Sequence, residues 1–594
     1  MSTVNLSASS TDSMGATATD SKAVTVSGSA KNKAKVSLMG NRIAFGSPVP
    51  GTPPQYGPTL YSETPYELGV SFWAKCEGMK VTGARLYKHP DAAGSIPVTL
   101  WDDAGTVLAT TTVTWAADTG GWREILFSSP SATLSTDREY RLSYYAANGK
   151  YAAGTGVFEP QEYYEWPFVV QQCVQVNGQL IGGGVLNDGA HAVPNNHYPT
   201  NYYVDVLAEV DVTTAGYTEG YMSQWSNYTP AQAFPVGVFY SDPEFMQEYA
   251  SIGVNTMVAI PGGGEAYRNA IMASNVDIWA SMPDIESLRI LLSDPDVAAR
   301  IVGWFVCDEP DLAGTWKTPD EIRAIVNMIR GVDSTRPIMI NFGFATALSS
   351  GWFFLRPGGK GITGHFDELI EDMSMADVTS LDYYNVTPQA AGAGGGAWTY
   401  YRQVRRLQQM TLGQKPIWGY VETASPEPGY PTPAQVNQAT WNCLIAGAKG
   451  IVFFDHQFPT LSLPLDFATI LHKPDMKSMV QALSGTLQQI AGHLKADEAH
   501  LVTSVTSSNT TAAMKGATMG VPIQHTSRIY GGQSMIIAQG SRPGATTATF
   551  TVPSAAGKTL TVRDESRTIT ANGSGVFTDS FAADYAVHIY TWTP

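Results

Sequence analysis

Residues 301–311 read IVGWFVCDEPD, an apolar run of β-branched and aromatic side chains that ends abruptly on acids and a proline. A short continuous apolar run bounded by turn residues is the pattern of a strand covered on both faces, and such strands belong to parallel sheets. The same kind of text recurs at Phe234–Tyr240, Val254–Pro261, Val276–Met282, Pro337–Phe344, Val378–Asn385, Pro416–Val421 and Gly450–Phe454. Helical periods lie between, among them PEFMQEYASIG (243–253), TPDEIRAIVNMIRGV (318–332), AWTYYRQVRRLQQM (397–410) and TPAQVNQATWNCLIAGA (432–448), with Thr318 and Thr432 placed to cap. Eight strand–helix units within residues 234–496 predict a (β/α)8 TIM barrel rather than an open doubly wound sheet. The helix at 474–494 closes it.

Outward from the barrel the rhythm changes. Residues 56–212 alternate in short runs such as VTGARLYKH (81–89), SIPVTLWDD (95–103) and REYRLSYYA (138–146), separated by turn text, which predicts an N-terminal β-sandwich. Residues 213–233 read as a connector. From 497 to 594 short strands return, as in QSMIIAQG (533–540) and DYAVHIYTW (584–592), predicting a C-terminal β-sandwich. Residues 1–55 are Ser/Thr-rich with a Pro-rich exit, SPVPGTPPQYGP (47–58), and hold too little apolar material for a core; they read as a flexible tether.

Composition narrows the function. Of 594 residues only 15% are charged, and 36 Lys plus Arg against 52 Asp plus Glu give a net charge of -16. No basic run exists to screen phosphates, so nucleic acid is not an expected partner. The least charged long stretch, Pro337–Leu355, carries Pro337, Asn341, Thr346, Ser349 and Ser350, so membrane insertion is not expected either. The first residues lack a basic start and an apolar segment, so no secretory signal is expected, although the Lys-poor, Ser/Thr/Asn/Tyr-rich composition suits an extracellular setting. Four scattered cysteines (Cys76, Cys173, Cys307, Cys443) make neither a disulfide frame nor a zinc set, and no metal-binding or nucleotide-binding motif occurs. No metal or cofactor is expected.

In a barrel the chemistry sits at the C-terminal ends of the strands, where the loops converge. Strand four delivers Asp308, Glu309 and Asp311 there, and strand seven delivers Glu422. Two carboxyls across one mouth suit glycoside hydrolysis, one protonating the leaving oxygen and the other attacking or activating water. A Glu after a buried strand can equally cap a helix or pair with Arg. Sugar rings stack on aromatics and sugar hydroxyls take Asp, Asn and His partners, so Tyr240, Trp279, Asn341, Asp382, Tyr383, Asp455 and His456 are the candidate subsite residues, with Asp284 and Asn385 weaker.

The DEP tripeptide after strand four and the lone Glu after strand seven resemble the clan A retaining glycoside hydrolases over about 234–495. The resemblance implies Glu309 as acid/base and Glu422 as nucleophile, with carboxyl oxygens ~5–5.5 Å apart. Where that pattern has Asn before the acid/base, touching the sugar 2-hydroxyl, this chain has Asp308; the aromatic at the end of strand eight is expected to be replaced by Asp455 and His456. The runs at 87–109, 142–152 and 197–210 resemble a domain of unknown function found beside carbohydrate-active modules, which implies glycan binding or spacing, with Trp122, Tyr144, Tyr145 and Tyr151 as a possible stacking platform or as packing residues. The opening NLSASSTDSMGATATDS (5–21) is similar to the starts of minor tail proteins from phages of actinobacteria. That likeness implies a virion tail location, contact with other tail proteins through the N-terminal segment, and a host cell-envelope polysaccharide as partner. A secreted glycosidase, or a non-catalytic receptor-binding tail component, are the alternatives.

Overall fold

The computed structural model describes three strands before residue 38 and then residues 59–594, outside 77, 119, 132, 137, 154–162, 166–167, 171–173, 177–178, 182–183, 189–190, 199–201, 212–218, 231–233, 262–263, 282–283, 313–314, 344–365, 385, 387–395, 425–430, 460–463, 511–512, 515–516 and 519. Eight parallel strands close into one barrel. They are β1 (Val236–Phe239), β2 (Thr256–Pro261), β3 (Asp277–Ser281), β4 (Ile301–Asp308), β5 (Ile338–Phe342), β6 (Val378–Leu381), β7 (Ile417–Glu422) and β8 (Gly450–Phe454). Every predicted barrel segment carries one of them.

Helices α1 (Met246–Ser251), α2 (Ile285–Ser293), α3 (Pro319–Val332), α4 (Thr399–Met410), α5 (Pro433–Ala446) and α6 (Pro474–Gln489) are among those that wrap the barrel. Both predicted caps form. Thr318 Oγ1 accepts from the Glu321 N–H at 3.2 Å while Glu321 Oε2 accepts from the Thr318 N–H at 2.7 Å. Thr432 and Gln435 repeat the reciprocal pair, and each helix has proline in its first turn. Each box satisfies donors that a helix start leaves open, for about 1 kcal/mol.

Because strand side chains alternate, the barrel has two cores. Phe239, Val258, Trp279, Val302, Phe305, Met339, Trp418, Tyr420 and Val452 fill the lumen, while Ile340, Leu381, Val421, Ile451 and Phe453 face the helices. Residues 219–228 correct the connector expectation. Tyr221, Met222, Trp225 and Tyr228 pack onto the lumen core, the Arg330 guanidinium lies 4.4 Å from the Trp225 ring centroid, and Asn227 Nδ2 donates to Thr335 Oγ1 at 2.8 Å, just before β5. This stretch stoppers the end of the barrel opposite the mouth, where a spacer would bury nothing.

Additional sheets flank the barrel. On the N-terminal side an antiparallel sheet containing Tyr66–Ala74, Gly94–Asp102, Val107–Trp115 and Glu139–Ala146 shares an apolar core with a four-stranded sheet through Leu68, Phe72, Val98 and Leu142 on one side and Val81, Leu86, Val204 and Val206 on the other. Tyr144 and Tyr151 are buried in that core, not set out as a platform; Tyr145 lies on the opposite face beside His191, and the Trp122 side chain lies outside the described residues. On the C-terminal side a five-stranded and a three-stranded sheet meet over Ile536, Phe550, Leu560, Phe577 and Tyr590. Met535, Ile537 and Ile589 of the former join the barrel's outer core. Cys307 and Cys443 are buried thiols, Cys76 is half-buried, and Cys173 lies outside the described residues. No helix among the described residues is long and apolar enough to cross a membrane.

The tether expectation also needs correction at one point, because Lys33–Ser37 pairs antiparallel with Leu207–Asp211 at the edge of the four-stranded sheet. Main-chain pairing along that edge places it there. Deletion through residue 29 is therefore expected to leave the N-terminal unit's melting temperature unchanged, whereas deletion through residue 40 bares the Leu207–Asp211 edge and lowers it by several degrees; differential scanning calorimetry of the two truncations checks this.

Candidate active site

The mouth is built by a displacement in β4. Trp304 pairs with Ile338 and Phe305 with Met339, but the next partners are Cys307 with Ile340 and Asp308 with Asn341, so one extra residue is absorbed between Phe305 and Cys307. A bulge of this kind reverses the inward–outward parity beyond it. Trp304 faces the helices, yet Asp308 shares the inward row with Asn341. Asn341 Nδ2 donates to Asp308 Oδ1 and Ser380 Oγ donates to Asn341 Oδ1, both at 2.8 Å, so three adjacent strands are tied across the lumen.

Glu309 follows at φ +45°, a left-handed conformation costing of order 1–3 kcal/mol outside glycine. Its N–H donates to the Asn341 carbonyl at 2.8 Å. Its carbonyl accepts from the Leu312 N–H at 3.1 Å and from Thr315 Oγ1 at 2.6 Å. Gly343 lies beside it, where a Cβ would stand 2.9 Å from Leu312 Cγ and 3.0 Å from Glu309 Oε1 and would push one of them aside. Asp311, buried, accepts the Gly343 N–H at 2.7 Å.

These acids crowd one low-dielectric site. Burial first, then Asp308, pushes the Glu309 carboxyl up to about 7; a side-chain hydrogen bond with Asp382 works the other way. Burial pushes Asp308 up to about 6 despite the Asn341 bond, and Asp382 is raised well above the usual range by burial and then by Glu309. The lift on Glu309 thus comes from burial first and from Asp308 next.

Glu422 ends β7 with no exposed surface. Its Oε1 accepts the Val386 N–H at 2.5 Å and the Tyr400 hydroxyl at 3.0 Å. The Tyr384 hydroxyl lies 3.5 Å from Asp382 Oδ2, a long contact. The Tyr384 ring centroid is 5.1 Å from that of Phe454. Tyr240, half exposed at φ +53°, meets the His456 ring edge-on at 6.0 Å, and His456 also borders Phe454 at 5.4 Å. Burial holds the His456 imidazole below its ordinary pKa.

The structure therefore brings together Asp308, Glu309, Asn341 and Asp382, places Glu422 with Tyr400 at the end of β7, and sets Tyr240 and His456 at the rim. Three predicted residues go elsewhere. Trp279 is wholly buried in the lumen core, 5.3 Å from Trp418 and 6.4 Å from Tyr228 of the stopper. Tyr383 packs against the helix-side core, its carbonyl accepting from Gln403 Nε2 of α4. Asp455 is sealed between β8 and α1, where the Tyr249 hydroxyl donates to it. Asp284 caps α2, accepting the Ser287 N–H at 2.8 Å; Asn385 lies outside the described residues. Depth explains the first miss, since Trp279 faces inward but lies mid-strand, and alternation explains the other two. If Asp382 points inward, Tyr384 does and Tyr383 does not; if Phe454 points inward, Asp455 does not. An aromatic does stand at the end of β8: Phe454, whose ring borders those of Tyr384 and His456. Among the described residues no group of three His, Cys, Asp or Glu side chains is placed to hold a metal.

Comparison with known proteins gives a partial match. A family profile described as a domain of unknown function (DUF4082) matches residues 52–204. No curated protein matches the chain. Among solved structures, a GH30 endoxylanase from Clostridium papyrosolvens C71 aligns at a TM-score of 0.35 and 13% identity, over 62% of this chain and 98% of that one. A glycoside hydrolase family 30 subfamily 8 xylanase, Xyn30A, from Clostridium acetobutylicum aligns at 0.33 and 12%, over 61% and 96%. A β-glucuronidase from Ruminococcus gnavus in complex with D-glucuronic acid aligns at 0.30 and 11%, over 66% and 63%. The barrel fold rests on its own closed topology, not on likenesses this slight.

Two outcomes follow from this geometry. Trp279→Ala opens a cavity in the lumen and is expected to cost about 3–5 kcal/mol of stability in denaturant unfolding. Glu309→Gln is expected to raise thermal stability increasingly as pH rises. A raised native pKa leaves stability intact below the ordinary carboxyl value of 4.5 and removes it as pH climbs through about 7. Melting curves of both proteins should coincide near pH 4.5 and separate by pH 8, wild type the less stable.

Proposed function

We propose that the protein is a retaining glycoside hydrolase acting on a cell-envelope polysaccharide, with Glu309 as general acid/base and Glu422 as nucleophile. The observation that carries this reading is the opposed surroundings of the two carboxyls at the ends of β4 and β7. Glu309 sits among acids and is pushed up to about 7, which keeps it protonated where neutral-pH chemistry needs an acid. Glu422, by contrast, has no acid beside it in these contacts: the Val386 N–H and the Tyr400 hydroxyl both donate to its Oε1 and fix the carboxyl at the strand end. In the first step Glu422 attacks the anomeric carbon as the glycosidic C–O bond breaks and the Glu309 proton passes to the leaving oxygen. In the second, water gives Glu309 its proton and displaces Glu422. Asp308, Asn341, Tyr240 and His456 are the subsite candidates that this reading retains, joined by Tyr384 and Phe454.

On this reading the flanking sheets form sandwiches that space the barrel or bind glycan. The Ser/Thr-rich opening supports a place on a phage tail, the N-terminal segment meeting other tail proteins. A second reading, a non-catalytic receptor-binding barrel, is favoured by one observation: Glu422 has no exposed surface. A nucleophile sealed in this way must be uncovered before it turns anything over.

The deciding experiment incubates the full chain with host cell-wall polysaccharide and reads new reducing ends, alongside Glu309→Ala and Glu422→Gln. Glu422→Gln is expected to lose several orders of magnitude on every substrate. Glu309→Ala is expected to lose far less on aryl glycosides with acidic leaving groups, which need no proton. Product of retained anomeric configuration supports the reading; saccharide binding without turnover selects the receptor-binding one.

A further inference from the structure

We infer that the mouth is specific for uncharged sugar units, with Asp382 receiving a hydroxyl of the unit bound beside Glu309, and that units carrying an anionic group are turned away. This specificity presupposes the saccharide site proposed above and gives it a substrate class. Strand parity aims the Asp382 side chain. Ser380 points inward, its Oγ donating to Asn341 Oδ1 at 2.8 Å, and Leu381 packs on the helix side, so Asp382 returns to the inward row. Its N–H donates to the Phe342 carbonyl at 3.0 Å, one step beyond the Phe342–Leu381 pair, which sets it level with Gly343 and hence beside Glu309. There the carboxyl is nine-tenths buried, with Oδ2 lying 3.5 Å from the Tyr384 hydroxyl and Oδ1 accepting no hydrogen bond among the described residues. A buried polar atom left without a partner is costly, and a ligand that supplies the donor recovers the loss.

The neighbours of that oxygen disfavour charge of either sign on the ligand. Asp308 is held by Asn341 Nδ2 at 2.8 Å and Asp311 by the Gly343 N–H at 2.7 Å, so acids from the end of β4 and from beyond β6 line one side of the mouth. No Lys, Arg or His is among the groups acting on Asp308 or Glu309. A carboxylate or phosphate brought there loses its water and meets no cation in exchange. An ammonium fares little better, because burial pushes Asp308 up to about 6 and Glu309 up to about 7, which removes much of the counter-charge it would need near neutral pH. A sugar hydroxyl gives Asp382 its missing donor and brings no charge. Its apolar C–H faces find the rings of Phe454 and of Tyr240, which is half exposed at the rim.

The test titrates the full chain carrying Glu422→Gln, which spares the polymer, with the neutral fraction of host cell-wall polysaccharide in a calorimeter. The same polymer is then titrated after oxidation of its primary hydroxyls to carboxylates, and again after their reduction back to alcohols. The oxidised polymer is expected to bind roughly a hundredfold more weakly, and reduction to restore the affinity. In the same background Asp382→Ala is expected to weaken binding of the neutral polymer roughly tenfold, whereas Asp382→Asn, whose amide still meets a hydroxyl, stays within a few-fold. Equal affinity for the neutral and oxidised polymers, a result that depends on no Asp382 variant, overturns the inference, as does binding of neither. Full affinity in Asp382→Ala overturns it too, and a loss in Asp382→Asn as deep as in Asp382→Ala does so by pointing to an ammonium partner. Because binding is read apart from turnover, the expected pattern in a chain whose wild type releases no reducing ends upholds the specificity while the glycosidase reading fails; turnover without the pattern overturns the specificity alone.

Discussion

A closed barrel admits every second side chain of each strand to its lumen, and the chemistry at the mouth depends on where that count is broken. In β4 it is broken by the extra residue between Phe305 and Cys307. With an unbroken period of two, Trp304, Val306 and Asp308 would share a face, and Asp308 would lie against the helices beside Trp304 and Ile322. The bulge brings Asp308 opposite Asn341, and the turn that follows carries Glu309 over the lumen. Phe305 can still pack inward, 5.7 Å from Phe239, so the floor below the bulge keeps its apolar filling. One irregularity thus separates a packed floor from a polar mouth.

The mouth pays for that polarity in several places. Glu309 holds a left-handed φ, Asp308 and Asp382 are raised far from their ordinary range, and Asn341 is fully buried to serve two neighbours. None of these features stabilises the barrel by itself. They persist because the strand ladder and the capped helices around them over-determine the backbone. A left-handed Glu309 set among buried acids with raised pKa values is the combination expected of a functional site.

Much of this was legible in the text of the chain. Continuous apolar runs betray strands covered on both faces, so all eight barrel strands could be found, and Thr-Pro followed by an acid or amide marked the starts of α3 and α5. Acids at strand ends pointed to Asp308, Glu309, Asp382 and Glu422. What the runs conceal is parity and depth: a strand apolar on both faces gives no sign of which residue looks inward, hence Tyr383 and Asp455 were placed at the mouth and Tyr384 was passed over, and Trp279, which does look inward, lies mid-strand in the packed floor. Tyr400 had no local signal at all. It sits on α4 and meets Glu422 through tertiary packing alone. The stopper at 219–228 and the edge strand Lys33–Ser37 escaped for opposite reasons: one is aromatic without period, the other is held by main-chain pairing that its polar sequence does not advertise.

The two principal carboxyls also differ in how firmly the fold holds them, and the difference bears on what each can do. Glu422 is the last residue of a barrel strand, paired in register with Phe454 and fixed by donors from Val386 and Tyr400. Glu309 lies one residue past its strand, in a turn tied by main-chain bonds, with its carboxyl beside a glycine. A group that forms a bond to carbon needs a fixed line of attack, since small misplacements are costly in rate. A group that gives and retrieves a proton needs instead a pKa near the working pH. The strand end supplies the first condition and the buried, acid-lined turn the second, which is why the proposed roles are assigned to β7 and β4 in that order.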